Sequence, residues 1–261
     1  MFPLGSVVVP HMLLPLHVFE PRYRILFEEL VGELPRPDDQ ASLGSEPRFG
    51  VTMIERGSEV GGGEVRAAVG TLATVVGAQL AEDGRWAVVA VGGERIRVLN
   101  WLDDDPYPRA EVELWPDEDP PDLNAALAGS IPTLLERHAE LSELMVQLGV
   151  ELEPGEAGSD VPDAGEDPDR LIWQLALASP LGSLDRYRLL SAPGSVERAT
   201  RLVALLDELA AYPAPVASEA HAPIAANAIV VPLVLDTPMG RLSLISTMTV
   251  FGTPMEVTLS E

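Results

Sequence analysis

The sequence predicts an α+β fold: a barrel-like β domain with one early helix, then a helical bundle, then a short C-terminal β-hairpin appendage. Three observations carry this. Between residues 48 and 116, apolar and polar residues alternate with a period of two, in runs separated by glycine-containing turns. From about 121 to 212 the apolar spacing changes to three-four, that of amphipathic helices. Proline-containing stretches mark both changes, PDEDPPD after Trp115 and PAPVASEAHAP after Tyr212. The expected division is a β domain at 1–116, a bundle at 121–212, and a linker with a hairpin tail at 213–261.

The elements follow in order. SVVVP (6–10) is β-branched and ends on proline, so a short strand is expected. HMLLPLHVF reads as an extended segment pinned by Pro15. EPRYRILFEEL puts Pro21 in a first helical turn, where a missing N–H costs nothing. Tyr23, Leu26, Phe27 and Leu30 form one apolar stripe, and Gly32 closes the helix. RFGVTMIE is a strand, SEVGGGE a connection, and VRAAVGTLATVVGAQL a long strand with glycines at 70 and 77 marking a bend or bulge. Asp83-Gly84 signals a hairpin turn. RWAVVAV and ERIRVLNW read as two runs flanking Gly92-Gly93, and PRAEVELW as a further strand. In the bundle, Leu134, His138, Leu141, Met145 and Leu148 keep one stripe ended by Gly149. Asp167-Pro168 caps the next helix, SLDRYRLL is short, and PGSVERATRLVALLDELAAY is strongly amphipathic. The final strands turn at DTPMG and are too few to fold alone.

Composition excludes more than it selects. The chain has 41 acids against 17 bases and a net charge of −24, which repels phosphate backbones and anionic lipid. Residues 103–169 hold about half of the acids, a solvated excess. There is no cysteine, so no disulfide and no thiolate metal site. All 17 bases are arginine. Without lysine there is no P-loop, no Schiff base and no serine–lysine nucleophile. No GxSxG occurs. His11 and His17 lack the three or four convergent ligands of a metal site, His138 sits on the bundle stripe, and Asp103–Asp105 read as a solvated loop. No cofactor is expected. The apolar opening is broken by Pro10, His11, Pro15 and His17, unlike a secretory leader, and no run of about 20 apolar residues exists. A cytoplasmic protein is expected.

FPLGSVVVPHMLLPLHVFEPRYRILFEEL closely resembles the start of the Lon protease N-terminal, substrate-recognition domain. Pro3-Leu4, Val8, Pro10, Pro15-Leu16 and Phe19-Glu20-Pro21-Arg22-Tyr23 carry the likeness. It continues through RFGVTMIE, VGTLATVV, DGRWAVVAVGGERIRVLNW, PRAEVELW and the closing DRYRLLSAPGSVERATRLVALLDEL, over about 1–212. The resemblance implies a PUA-like pseudobarrel followed by a helical bundle. In full Lon proteases an ATPase and a serine–lysine peptidase follow. This chain stops before either, and the expectation is a stand-alone form of the domain, not an enzyme. LVLDTPMGRLSLISTMTVFGTPMEVTLSE is similar to the end of the ligand-binding domain of MmyB-like helix-turn-helix regulators, but no regulatory function is carried over.

The implied function is a non-catalytic module binding unfolded or apolar peptide segments, with a separate protease as a further partner and no nucleic acid or membrane. The candidate peptide-binding residues are Met12, Leu13 and Leu14, in the proline-held segment, and Arg22, Arg95 and Arg97, which suit acidic or carboxylate groups. Two readings of the apolar three stand side by side: a presented tip, or plugs of the barrel. Exposed strand edges offer strand addition as a second mode. The alternatives are a PUA-like RNA-binding protein, opposed by the charge, and a small-ligand sensor using the C-terminal strands.

Overall fold

A computed structural model describes residues 1–31, 47–57, 63–147 and 167–211 in full, and 231–237 and 240–246 as backbone. The chain divides into two compact units, Met1–Tyr212 and Pro213–Glu261. Most of the glycine-rich connection (58–62), the acidic loop up to 166, and the helix-closing Gly32 and Gly149 lie outside the described residues.

The first unit is the mixed α+β body that the sequence predicts. Its curled, half-barrel sheet contains β1 (Phe2–Leu4), β2 (Leu13–Val18), β3 (Arg48–Arg56), β4 (Val65–Leu80), β5 (Trp86–Trp101) and β6 (Ala110–Leu114). The order is β1-β3-β4-β5-β2, with β6 also on β5. β1 runs parallel to β3, and the other pairings are antiparallel. Bulges in β3–β4 and at Thr71/Ala73 and Val75/Gly77 in β4–β5 bend the long strands and add to the curl. The β4–β5 turn is the predicted one. Gly84 supplies φ +77°, and its N–H donates to the Ala81 carbonyl at 2.9 Å.

Helix α1 (Pro21–Val31) buries Tyr23, Leu26 and Phe27 on the sheet. Phe27, Phe2 and Phe49 meet edge-to-face, with centroids 5.1 to 6.1 Å apart, a geometry that adds to plain burial. The bundle comprises α2 (Leu123–Leu127), α3 (Ser130–Gln147), α4 (Pro168–Ala178), α5 (Ser183–Leu190) and α6 (Ser195–Ala211). The Asp167 carboxylate caps α4 by accepting from the Arg170 N–H at 3.1 Å. There are two apolar cores. One joins α1 to the sheet. The other joins the helices to Val7, Val9, Met53, Ala67 and Val69 from the β layer.

Two element expectations need correction. SVVVP is not a strand. Val7, Val8 and Val9 are buried, and Val8 enters one core while Val7 and Val9 enter the other. The side chains alternate as in a strand, but no ladder forms. The Thr71 hydroxyl donates to the Val8 carbonyl at 2.6 Å, and the Met12 N–H donates to the Val9 carbonyl at 3.2 Å, closing a turn through Pro10. Nor do Gly92 and Gly93 separate two strands, since β5 runs unbroken through both. Gly92 is required by close approach: a Cβ there would overlap the Val9 carbonyl oxygen as this segment crosses the sheet.

The second unit contains β7 (Val231–Thr237) and β8 (Gly240–Ser246), an antiparallel pair with Val231 opposite Ser246 and Thr237 opposite Gly240.

Candidate functional site

One edge of β5 is taken by β4. The other is shared end to end by β2, which pairs up to Val91, and β6, which pairs from Ile96. At the ends of this interval, the Gly92 N–H donates to the Met12 carbonyl and the Trp115 N–H to the Arg95 carbonyl, at 2.9 and 2.8 Å. Gly93 and Glu94 lie in the notch between them. Above it is a cleft of about 510 Å³ walled by Pro10, His11, Leu114, Trp115 and Trp173, with Glu94, Asp117 and Asp169 supplying carboxylates. His11 holds a left-handed backbone, φ 66°. That is uncommon for a residue with a Cβ, and the preceding Pro10 sets it up.

A buried polar joint backs the cleft. Arg95 on β5 is 5% exposed and Arg198 on α6 is fully buried. Arg95 donates to the Leu190, Ala192 and Pro193 carbonyls and to Asp117 Oδ1. Arg198 donates to the same Asp117 oxygen at 2.5 Å and to Asp169 Oδ1. Ser195 Oγ donates to Asp119 at 2.6 Å or to Asp169 at 2.8 Å. The Arg95 guanidinium lies 4.3 Å from the Trp115 ring centre, and that of Arg198 lies 4.2 Å from Trp173. Burial pushes the Asp169 carboxyl above the usual carboxylate range, with Arg198 and Ser195 pulling the other way. Burial also lowers Arg95. The joint ties the sheet to the bundle with charge-assisted bonds between residues up to 98 positions apart.

A second surface lies on the outer face of β2, β5 and β4. Cross-strand register sets three rows: Leu13–Val91–Thr74, Pro15–Val89–Gly77 and His17–Ala87–Gln79. Leu13 is 55% exposed, Val89 41%, and the bulged Val76 59%. A groove of about 740 Å³ runs between Pro15, His17, Gly77 and Val89. These rows contain no acid and no arginine.

The predicted site residues fall in different places. Leu13 is on the outer face. Leu14 is buried in the β core, and Met12 is half-buried against both cores. Arg22 bonds Glu20 at 3.1 Å and lies over the Tyr23 ring. Arg97 is half-exposed, pairs with Glu113 at 3.5 Å and shares the Trp115 ring with Arg95. Arg95 turns its donors into the joint. Sequence reasoning missed Trp115, Trp173, Asp117, Asp169 and Arg198. From sequence, Asp117 falls in a hinge, Asp169 in the solvated acid excess, and Trp173 and Arg198 in amphipathic helices, with no local signal that brings them together. Asp104, within the acidic run, pairs with Arg66 through both oxygens. Among the described residues no cluster of His, Cys, Asp or Glu suits a metal ion, and no helix is long and apolar enough to cross a membrane.

His138 on α3 gives a pH expectation. Burial lowers its pKa below 6.5, though a bond to the Ala178 carbonyl opposes this, and its Nε2 has no partner among the described residues. The unfolded chain therefore binds more protons below pH 6.5, so this stability is present at neutral pH and is lost on acidification. His138→Leu should flatten the fall in melting temperature between about pH 7 and about pH 5. An unchanged slope would contradict it.

The model of the ATP-dependent protease La (Lon) substrate-binding domain family matches residues 1–208, leaving the C-terminal strands outside. Among solved structures, the chain is similar to the Lon N-terminal domain protein from Xanthomonas campestris, at 22% identity and a TM-score of 0.48, covering 78% of this chain and 95% of that one. It is also similar to the N-terminal domain of the Mycobacterium avium complex Lon protease, at 17% identity and a TM-score of 0.51, covering 79% and 97%. At that identity the second likeness speaks for the fold alone. No curated protein matches the sequence. Since the family match spans residues 1–208 of 261, this chain belongs to the Lon substrate-binding domain family.

Proposed function

We propose that this protein is a non-catalytic recognition module that holds unfolded, apolar segments of other proteins on the outer face of β2, β5 and β4. The observation that carries the reading is the charge-free apolar surface around Leu13, Val76 and Val89 on a protein of net charge −24. Exposed apolar patches on otherwise polar surfaces mark interaction sites. Family membership supports protein substrates as the class of ligand. A serine–lysine proteolytic step would need a separate protease, because a chain without lysine supplies no such pair.

Strand addition along β2 is the weaker mode. Gly92 donates to Met12 across the β2–β5 pair, and alternate residues of an antiparallel ladder turn their backbone groups to opposite edges. Leu13, Pro15 and His17 therefore face the outer edge, and Pro15 has no N–H to offer there.

The test is the double substitution Leu13→Ser with Val89→Ser. Burying each side chain against a ligand is worth roughly 1.5–3 kcal/mol, so capture of a permanently unfolded, carboxymethylated protein should weaken by at least ~10-fold. Melting should shift little, because both residues are exposed. Undiminished capture at an unchanged melting temperature sinks the reading. Met12 is unsuited to this test, since it packs on both cores.

A further inference from the structure

The charge-free rows end on β5 at Val91, and the cleft floor begins at the next residue, Gly92. An extended segment lying on the rows therefore has the cleft within a few residues of its path, at about 3.3 Å per residue. The two surfaces differ in chemistry. The rows are neutral, whereas the cleft combines apolar walls with carboxylates.

Those carboxylates are only half used. Arg95 and Arg198 both donate to Oδ1 of Asp117, and Arg198 and Ser195 both donate to Oδ1 of Asp169. Among the described residues no hydrogen bond reaches Oδ2 of either. The Asp117 and Asp169 side chains keep 21% and 28% of their surface exposed, whereas that of Arg95 keeps 4%. The lining cation, Arg95, is thus turned away into the joint, while its partner Asp117 and the Arg198 partner Asp169 still face the cleft with acceptor capacity left. Glu94, paired with Arg48 at 3.3 Å, adds a third carboxylate at the rim. The walls are Trp115, Trp173, Leu114 and Pro10.

A long apolar stem ending in a cation matches this arrangement: the methylenes lie along the walls and the head meets the carboxylates. We infer that the cleft takes a lysine or arginine side chain of the bound polypeptide, so that the module selects apolar segments carrying a basic residue. The inference rests on the peptide-binding reading above and names its substrate class. The net charge of −24 favours such a ligand at long range and disfavours a second copy of this chain, which would bring the same charge.

The experiment uses the full chain and three extended apolar peptides that differ at one central position: lysine, its neutral near-isostere norleucine, or glutamate. Dissociation constants are measured by calorimetry at low and at physiological salt. The lysine peptide should bind about 10-fold tighter than the norleucine peptide, in keeping with a charge-assisted hydrogen bond, and the glutamate peptide more weakly than either. Added salt should narrow the spread. Leu114→Trp, at a half-exposed position on the cleft wall, should abolish the lysine preference while leaving the norleucine peptide bound. Leu13→Ser with Val89→Ser should weaken all three alike. Equal binding of the lysine and norleucine peptides overturns the inference and leaves the peptide-binding reading standing. So does a lysine preference that survives in Leu114→Trp. Failure of all three peptides to bind overturns both.

Discussion

Arg198→Met should destabilise the first unit by about 3–5 kcal/mol, the cost of removing one partner from a buried ion pair. The guanidinium is fully buried and stands between Asp117 and Asp169. Without it, the joint keeps two partly buried carboxylates and one cation, Arg95, which reaches only Asp117. For a body of this size the melting temperature should fall by on the order of 10 °C. Arg201→Met on the same helix is the control. Its ion pair with Glu197 is a third to a half exposed, and such pairs contribute about 0–1 kcal/mol. Equal effects of the two substitutions would show that the joint carries no special share of the stability. Replacing Arg198 and Asp169 together by apolar residues should recover part of the loss, because Asp117 then keeps Arg95, Ser195 keeps Asp119, and no buried charge is left unpaired.

The second large effect is expected at Phe27, which is fully buried against Phe2 and Phe49. Phe27→Ala should cost about 3–5 kcal/mol through lost burial and the cavity left behind. Near-ultraviolet and far-ultraviolet circular dichroism should nonetheless report one shared, lowered transition. Phe27 lies in the core between α1 and the sheet, and most of the helix lies in the bundle. The two cores are bound through Met12, which packs on both, and through Val7, Val9, Met53, Ala67 and Val69, which join the bundle core from the β side. Two separated transitions would refute this single cooperative body.

The parts of the fold legible in the sequence were those set by local physics. The alternation in 65–80, the Asp83-Gly84 turn, the Pro21 helix start and the Asp167 cap each depend on residues a few positions apart. The misread parts depend on distant chain. Val7–Val9 alternates like a strand, but its partners are a threonine hydroxyl and two cores, not a ladder. Gly92-Gly93 has turn composition, yet both lie within one strand, where Gly92 makes room for Val9. Arg95 and Arg97 are two apart on β5, so neither is marked as buried by its place in the strand. What separates them is the run of carbonyls at Leu190, Ala192 and Pro193, about a hundred residues away, which takes one guanidinium and not the other. The cleft was hidden for the same reason: its walls come from β5, β6, the Pro10 turn and α4.

The polar joint also bears on how such a chain is inherited. The stretch PDEDPPD, rich in proline and acid, has the composition of a seam where two modules were fused and where recombination should be harmless. Its first aspartate, Asp117, is the shared acceptor of arginines from both sides, and Asp119 receives both the N–H and the hydroxyl of Ser195 at the start of α6. A crossover there between two diverged relatives would combine arginines and carboxylates selected in different partners. The sheet and the bundle should therefore pass between lineages as one heritable block, with the seam-like segment among the places least tolerant of exchange.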